Sequence, residues 1–137
     1  MPLLKVKYFC CVNKNHSFKK YKTVSLQNIV TQKMIIHLPS QYIYNKIFDY
    51  AGLKPKAINA SNTLLIKEML LANGGVGFSS HSAKTFKNFV EFGGDVIDIP
   101  LEENIVGEIG LLVKKNISLN QDIKIFLDFI EKELAVI

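Results

Sequence analysis

The stretch SNTLLIKEMLLANGGVGFSSHS, residues 61–82, carries the pattern on which the fold class turns. Ser61 is a helix cap by chemistry, because a serine hydroxyl accepts a hydrogen bond from a first-turn N–H. The residues that follow place Leu64, Leu65, Met69 and Ala72 on one helical face. Asn73-Gly74-Gly75 then ends the helix, since Asn and Gly tolerate the left-handed backbone of a helix stop. Val76 to Ser79 follow at once as a short strand. A helix delivered into a strand through so short a turn is half of a strand–helix–strand unit.

Reading outward, the same alternation continues. Upstream, Lys56 to Ala60 form a strand, and Pro39-Ser40 open a helix that turns Tyr44, Ile47, Phe48 and Ala51 inward and stops at Gly52. Met34 to Leu38 are a compact apolar strand. Ser25 caps a short helix from Leu26, a lysine-rich loop precedes it, and residues 3–13, LLKVKYFCCVN, read as the first strand. Downstream, Ser82 to Phe92 read as a helix with Phe86, Phe89 and Val90 inward, broken by Gly93-Gly94. Asp95 to Ile99 form a strand closed by Pro100, and Gly107 to Lys114 another. Ser118 and Gln121 have the spacing of a capping box. The closing helix keeps Ile123, Phe126, Leu127, Ile130 and Leu134 on one stripe. Strands alternating with helices imply an α/β layer with a largely parallel sheet.

The chain has 137 residues, enough for one ordinary domain, and 48% hydrophobic with 21% charged residues is globular composition. The longest uncharged stretch, Met69 to Ala83, is 15 residues and rich in Gly, Ser and Asn, short of the ~20 apolar residues of a membrane span. Lys5, Lys7, Cys10 and Cys11 interrupt any apolar signal segment. The expectation is a soluble, cytoplasmic chain. Charge is unevenly placed. Residues 1–67 carry eleven Lys and only Asp49, a balance of +10, whereas residues 68–137 balance at −5. All seventeen basic residues are Lys. Without Arg there is no bidentate reader of guanine, and no helix-turn-helix or zinc-finger pattern is present, so the lysines read as a solvated face in preference to a DNA surface.

Catalytic patterns are thin. His16, His37 and His81 share no ligand spacing, and no metal motif or paired-carboxylate motif occurs. His37 reads as a rim histidine at a strand end. Asp95, Asp98, Glu102 and Glu103 read as a solvated edge. GGVGF at 74–78 precedes its strand, whereas a phosphate loop follows one. Cys10 and Cys11 are adjacent in a strand, so they point to opposite faces and serve as packing residues in reduced form. The residues thus imply no enzyme, no cofactor and no metal. Two positions suit a ligand better. Ser40 and Ser61 each stand where a strand passes into a helix, where unpaired N–H groups and the helix dipole hold an anionic or polar group. Capping alone also explains either serine, Ser40 more readily than Ser61.

Three segments, in order, resemble the effector-binding domain of LysR-type transcriptional regulators. VNKNHSFKKYKTVSLQNI at 12–29 is similar to that family's strand, His-containing loop and Val-Ser-Leu helix start, with Ser17-Phe18 in place of Pro-Leu. IKEMLLANGGVGFSSHS at 66–82 resembles its helix and Gly-x-Gly strand, without the usual following Pro. IGLLVKKNISLNQDIKIFLDFIEKEL at 109–134 resembles its closing strand and Phe-x-x-Phe helix. The resemblance implies a type 2 periplasmic-binding-protein-like fold, with a mixed, mainly parallel sheet flanked by helices and an effector held between two lobes. Residues 1–137 then map as a partial domain: a complete second lobe plus the closing helix of an incomplete first lobe. Effector contacts carry over to Asn13, Ser61 and Asn62, with Ser40 opening the preceding helix on the same cleft. The implied partners are a small anionic or polar effector and a second copy in a homodimer. DNA is reached only through a winged helix-turn-helix that these residues do not include. Alternatives are a free-standing solute-binding module of related fold, a truncated dimerisation partner, and a small enzyme using His37 or His81.

Overall fold

The computed structural model describes residues 2–81, 94–112, 114, 118 and 120–135. The helix expected over Ser82 to Phe92 lies outside them. The chain divides into two compact units. The larger comprises Tyr8–Ser80 and Val90–Ile105, and the smaller comprises Met1–Lys7, His81–Phe89 and Val106–Ile137.

The elements follow the expected order. They are β1 (Pro2–Asn13), α1 (Leu26–Ile29), β2 (Lys33–His37), α2 (Gln41–Tyr50), β3 (Lys56–Ala60), α3 (Thr63–Leu71), β4 (Val76–His81), β5 (Val96–Pro100), β6 (Val106–Gly110) and α4 (Gln121–Ala135). The strand order is β3-β2-β4-β1-β5, with β6 also pairing β1. β2 runs parallel to both β3 and β4, while β5 and β6 pair antiparallel with β1. The sheet is therefore mixed. Its parallel side is where the helical crossovers fall, because parallel neighbours need a long connection.

In the larger unit each sheet face buries one cluster. Cys10, Val12, Met34, Ile36 and Val76 face Leu26 and Ile29 of α1 and Tyr44 and Phe48 of α2. Cys11, Ile35, Ala60 and Val96 face Ile66 and Leu70 of α3. The two cysteines are unbridged and fully buried on opposite faces, as strand alternation requires. Burial pushes the Cys10 thiol up to about 12, with Asp98 adding to the effect. Full burial of Phe48 contributes about 2–3 kcal/mol.

Helix ends explain much of the chain's path. Ser25 Oγ accepts from Asn28 N at 3.1 Å, and Glu103 accepts from Leu26 N at 2.9 Å, so this acid caps α1 and is not merely a solvated edge. α2 and α3 both close in a Schellman arrangement, with Leu53 N donating to Phe48 O and Gly74 N to Met69 O. The left-handed positions are Gly52 at φ 70° and Asn73 at φ 54°. His16 caps the 3-10 turn Ser17–Lys20, its Nδ1 accepting from Phe18 N at 3.0 Å. Burial holds its pKa below the ordinary value, partly offset by a hydrogen bond with Gln32.

In the smaller unit, Pro2 to Lys7 of β1 pair with Gly110 to Val106 of β6. The strand expected to reach Lys114 ends at Gly110. α4 begins after Asn120, whose Oδ1 accepts from Ile123 N at 2.9 Å. The cap is therefore Asn120 and not Ser118. An Asn two residues later competes well for the same role, and the helix starts at Gln121. Ile123, Leu127, Ile130 and Leu134 are half-buried as expected, but Phe126 is 55% exposed.

Candidate functional site

β2, β3 and β4 are parallel, so their C-terminal ends share one edge of the larger unit. From β2 the chain moves outward to β3, then returns past β2 to reach β4. The direction of winding reverses between β2 and β4, and open α/β sheets bind ligands beside such a switch point, at the C-terminal strand ends.

Ser40 lies at this edge, three residues beyond His37. It ends the 3-10 turn Leu38–Ser40 and precedes α2, yet its side chain makes no capping hydrogen bond. Ser40 stands at φ −98° and ψ 0°, outside the extended conformation from which a cap side chain reaches the N–H groups of the first turn. Ser61 follows Ala60, and Ala60 is paired with His37, so Ser40 and Ser61 come from adjacent strand ends. The cap of α3 is Asn62 rather than Ser61, with Oδ1 accepting from Leu65 N at 2.9 Å. Ile66 and Leu70 turn inward, whereas Leu64 is 68% exposed and Leu65 also faces outward, contrary to the face expected from the sequence.

Asn13 does not join this group. Its Nδ2 donates to Leu70 O at 3.2 Å and Leu71 O at 3.0 Å, and its Oδ1 accepts from Asn15 N at 2.9 Å. It therefore holds the C-terminal end of α3, while Asn62 caps the N-terminal end. The two are separated by the helix length, roughly 13 Å for nine residues. The structure thus brings Ser40, Ser61 and Asn62 to one edge and leaves Asn13 beyond the far end of a helix.

One residue of this edge escapes a motif search. Ser79 on β4 is 4% exposed, and its Oγ has no hydrogen-bond partner among the described residues. Gly77, two residues earlier, faces Leu70 and Cys11, which a Cβ there would meet at ordinary contact distances of 3.5 and 3.6 Å. Ser79 consequently faces the α3 side. Burial drives the neighbouring Cys11 thiol well above its ordinary value, with Asp98 reinforcing and the Ser79 hydroxyl opposing. No described residue completes a hydrogen bond of normal geometry with the Ser79 Oγ. The strand period was the available signal: in VGFSSH at 76–81, Ser79 alternates with a buried-face glycine. His37, half-buried at the end of β2, occupies the rim expected of it.

Among the described residues no group of three His, Cys, Asp or Glu side chains is placed to hold a metal ion. None of their helices is long and apolar enough to cross a membrane.

No protein-family model and no curated protein matches the chain. Solved structures do. HinK, a LysR family transcriptional regulator from Pseudomonas aeruginosa, matches with TM-score 0.80 at 20% identity, over 98% of this chain and 47% of that one. The effector-binding domain of QuiR, solved with shikimate, matches at 0.77 and 18%, over 98% of this chain and 64% of that one. The fold is that of a LysR-type effector-binding domain. The BenM effector-binding domain with its effector benzoate gives TM-score 0.73 at 18% identity, over 98% of this chain and 62% of that one. The chain thus spans about half to two-thirds of these LysR-type structures. They are regulators and their effector domains, not enzymes.

Proposed function

We propose that this chain is the effector-sensing portion of a LysR-type regulator and that it is not an enzyme. The observation that carries the reading is the match of 98% of the chain to effector-binding domains, one of them holding shikimate. The chemistry of the switch-point edge agrees. Ser40, Ser61 and Asn62 offer hydroxyl, amide and first-turn N–H groups to an anionic or polar effector. Asn13 enters as the residue that holds the other end of α3. On this reading the chain is a second lobe with the closing part of a first, and binding shifts the conformational equilibrium of the whole domain. A winged helix-turn-helix outside these residues reports the shift to DNA, in the cytoplasm, and the sensing unit works as a homodimer.

Thermal unfolding of the 137-residue chain against a library of small acids and polyols tests the reading. A ligand at one hundred times its Kd adds about 2.7 kcal/mol to stability. The expected result is such a shift with at least one compound, reduced by Asn62→Ala or Ser61→Ala. A library that leaves every transition unmoved contradicts the sensing role, and a monodisperse monomer at micromolar concentration contradicts the homodimer.

A further inference from the structure

We propose that His16 is an acid-sensitive latch, and that its protonation releases the lysine-rich loop of residues 14–23 while the sheet stays folded. The latch is built from hydrogen bonds on both ring nitrogens. Nδ1 accepts from Phe18 N at 3.0 Å, so the neutral ring carries its proton on Nε2. Gln32, just beyond α1, takes a hydrogen bond from the ring. The ring is 6% exposed and meets the Phe18 ring edge-on at 4.6 Å. Phe18 is itself buried in the cluster that faces α1 and α2. Lys19 N donates to His16 O and Tyr21 N to Phe18 O, at 3.0 and 2.9 Å, so His16 and Phe18 together hold the turn Ser17–Lys20 closed.

That arrangement has no place for a proton. A second N–H on Nδ1 would face the Phe18 N–H, and a buried donor without an acceptor is costly. Turning the ring over does not help, because an imidazolium has no acceptor nitrogen. The charged groups of the loop are Lys14, Lys19, Lys20 and Lys22; β1 from Tyr8 to Asn13 and α1 carry none, and Lys33 follows Gln32. The acids of the adjoining segment are engaged or turned away. Asp95 is 2.7 Å from Lys14 Nζ, Asp98 pairs with Cys11 on the opposite sheet face, Glu103 accepts from Leu26 N, and Glu102 is exposed. Burial accordingly holds the His16 pKa below 6.5, and a released loop returns the ring to water and to about that value. The open loop therefore binds the proton more readily, and acid favours opening. Its two ends confine the opening. Asn13 is tied to Leu70 O and Leu71 O, and Val24 is buried, with its N donating to Pro100 O at 3.0 Å. Between these anchors, four lysines and an imidazolium in ten residues repel one another.

The test is amide hydrogen exchange on the 137-residue chain between pH 7.5 and 5, with the His16 ring ¹⁵N shifts followed in parallel. Two variants accompany it: His16→Asn, which can cap the turn without titrating, and Gln32→Ala, which removes the bond that favours the protonated ring. In the parent, the protection of the Phe18, Lys19 and Tyr21 amides is expected to fall by up to about tenfold per pH unit below 6.5, levelling at the pKa of the closed form. The Ile35 and Ile36 amides of the central strand β2 should keep their protection. In His16→Asn the turn amides should show no such fall, and in Gln32→Ala the fall should continue to a lower pH. A fall of equal size in His16→Asn overturns the inference. So does a His16 ring that becomes protonated while the turn amides stay protected, and so does loss of protection at Ile35 and Ile36 in step with the turn. Where His16→Asn does not fold, Gln32→Ala decides alone, and a levelling point that does not move overturns the latch.

Discussion

The larger unit and the smaller unit use the same kinds of residue to different effect. In the larger, apolar side chains from both sheet faces close into two clusters, with Phe48, Leu70, Ile35 and Cys11 essentially removed from solvent. In the smaller, Val6 is the buried hydrophobic residue among those described, while Val106, Ile109, Ile125, Phe126 and Phe129 are about half exposed and Leu112 is 100% exposed. Both units carry amphipathic sequence. The difference teaches that an apolar stripe fixes which face a helix can bury, not whether these residues supply something to bury it against. An isolated helix of this length has little stability of its own without such packing.

Substitutions should separate the two units sharply. Phe48→Ala is expected to have the largest effect, about 3–5 kcal/mol in a urea titration, because Phe48 is fully buried and meets Phe78 edge-on at 5.8 Å. A loss under about 1 kcal/mol would place the stabilising core elsewhere. Gly75→Ala should follow at about 1–3 kcal/mol, since an added Cβ would come within 2.3 Å of the Lys33 carbonyl oxygen, and backbone atoms cannot swing aside. Parent-like unfolding of that variant would show that the α3–β4 junction is looser than described.

Asn13→Ala should cost about 1–2 kcal/mol, because it strips hydrogen bonds from Leu70 O, Leu71 O and Asn15 N together. Faster hydrogen exchange near Ala72 and Asn73 would locate the damage at the C-terminal end of α3. The pH dependence sharpens the comparison further. His16 is buried in the larger unit, and burial depresses its pKa. The unfolded chain therefore binds the proton more readily. The stability that His16 contributes is complete above the unfolded value of 6.5 and is lost as the pH falls from there through the folded value. Unfolding midpoints measured from pH 7.5 down to 5 should decline, and His16→Asn, which can cap the same turn without titrating, should flatten the decline. The smallest effect belongs to the smaller unit. Phe129→Ser should change stability by no more than about 0.5 kcal/mol in this chain, because the side chain is already 59% exposed. A loss of several kcal/mol would mean that α4 is covered in solution, and sedimentation at several concentrations would show whether a second copy covers it.

The candidate site was legible only in part. Ser40 and Ser61 announced themselves as strand-to-helix residues, and both stand there. That Ser40 caps nothing, and that Asn62 displaces Ser61 as the cap, was not legible, because Ser and Asn are near-equal caps and neighbouring positions compete through backbone geometry. The inward face of α3 was misread because its segment is apolar on most sides, and only the packing of Ile66 and Leu70 with Ile35 and Cys11 selects one. Asn13 could not be placed by spacing, since what it binds lies fifty-seven residues away in sequence. Ser79 carried no motif at all. Its burial beside Cys11, with no hydrogen bond of normal geometry among the described residues, is a property of its surroundings and not of its own segment.

The order of strands and helices, the opposite facing of Cys10 and Cys11 and the stops at Gly52 and Asn73 follow from the sequence alone. They depend on side-chain period and on which residues tolerate a left-handed turn, and both are local. The tertiary structure alone decided the strand order β3-β2-β4-β1-β5, the meeting of Ser40 with Ser61 and Asn62 at one edge, the removal of Asn13 to the far end of α3 and the exposure of Phe126. These depend on pairings between segments far apart in the chain. No local rule chooses among such pairings; the burial they jointly achieve does.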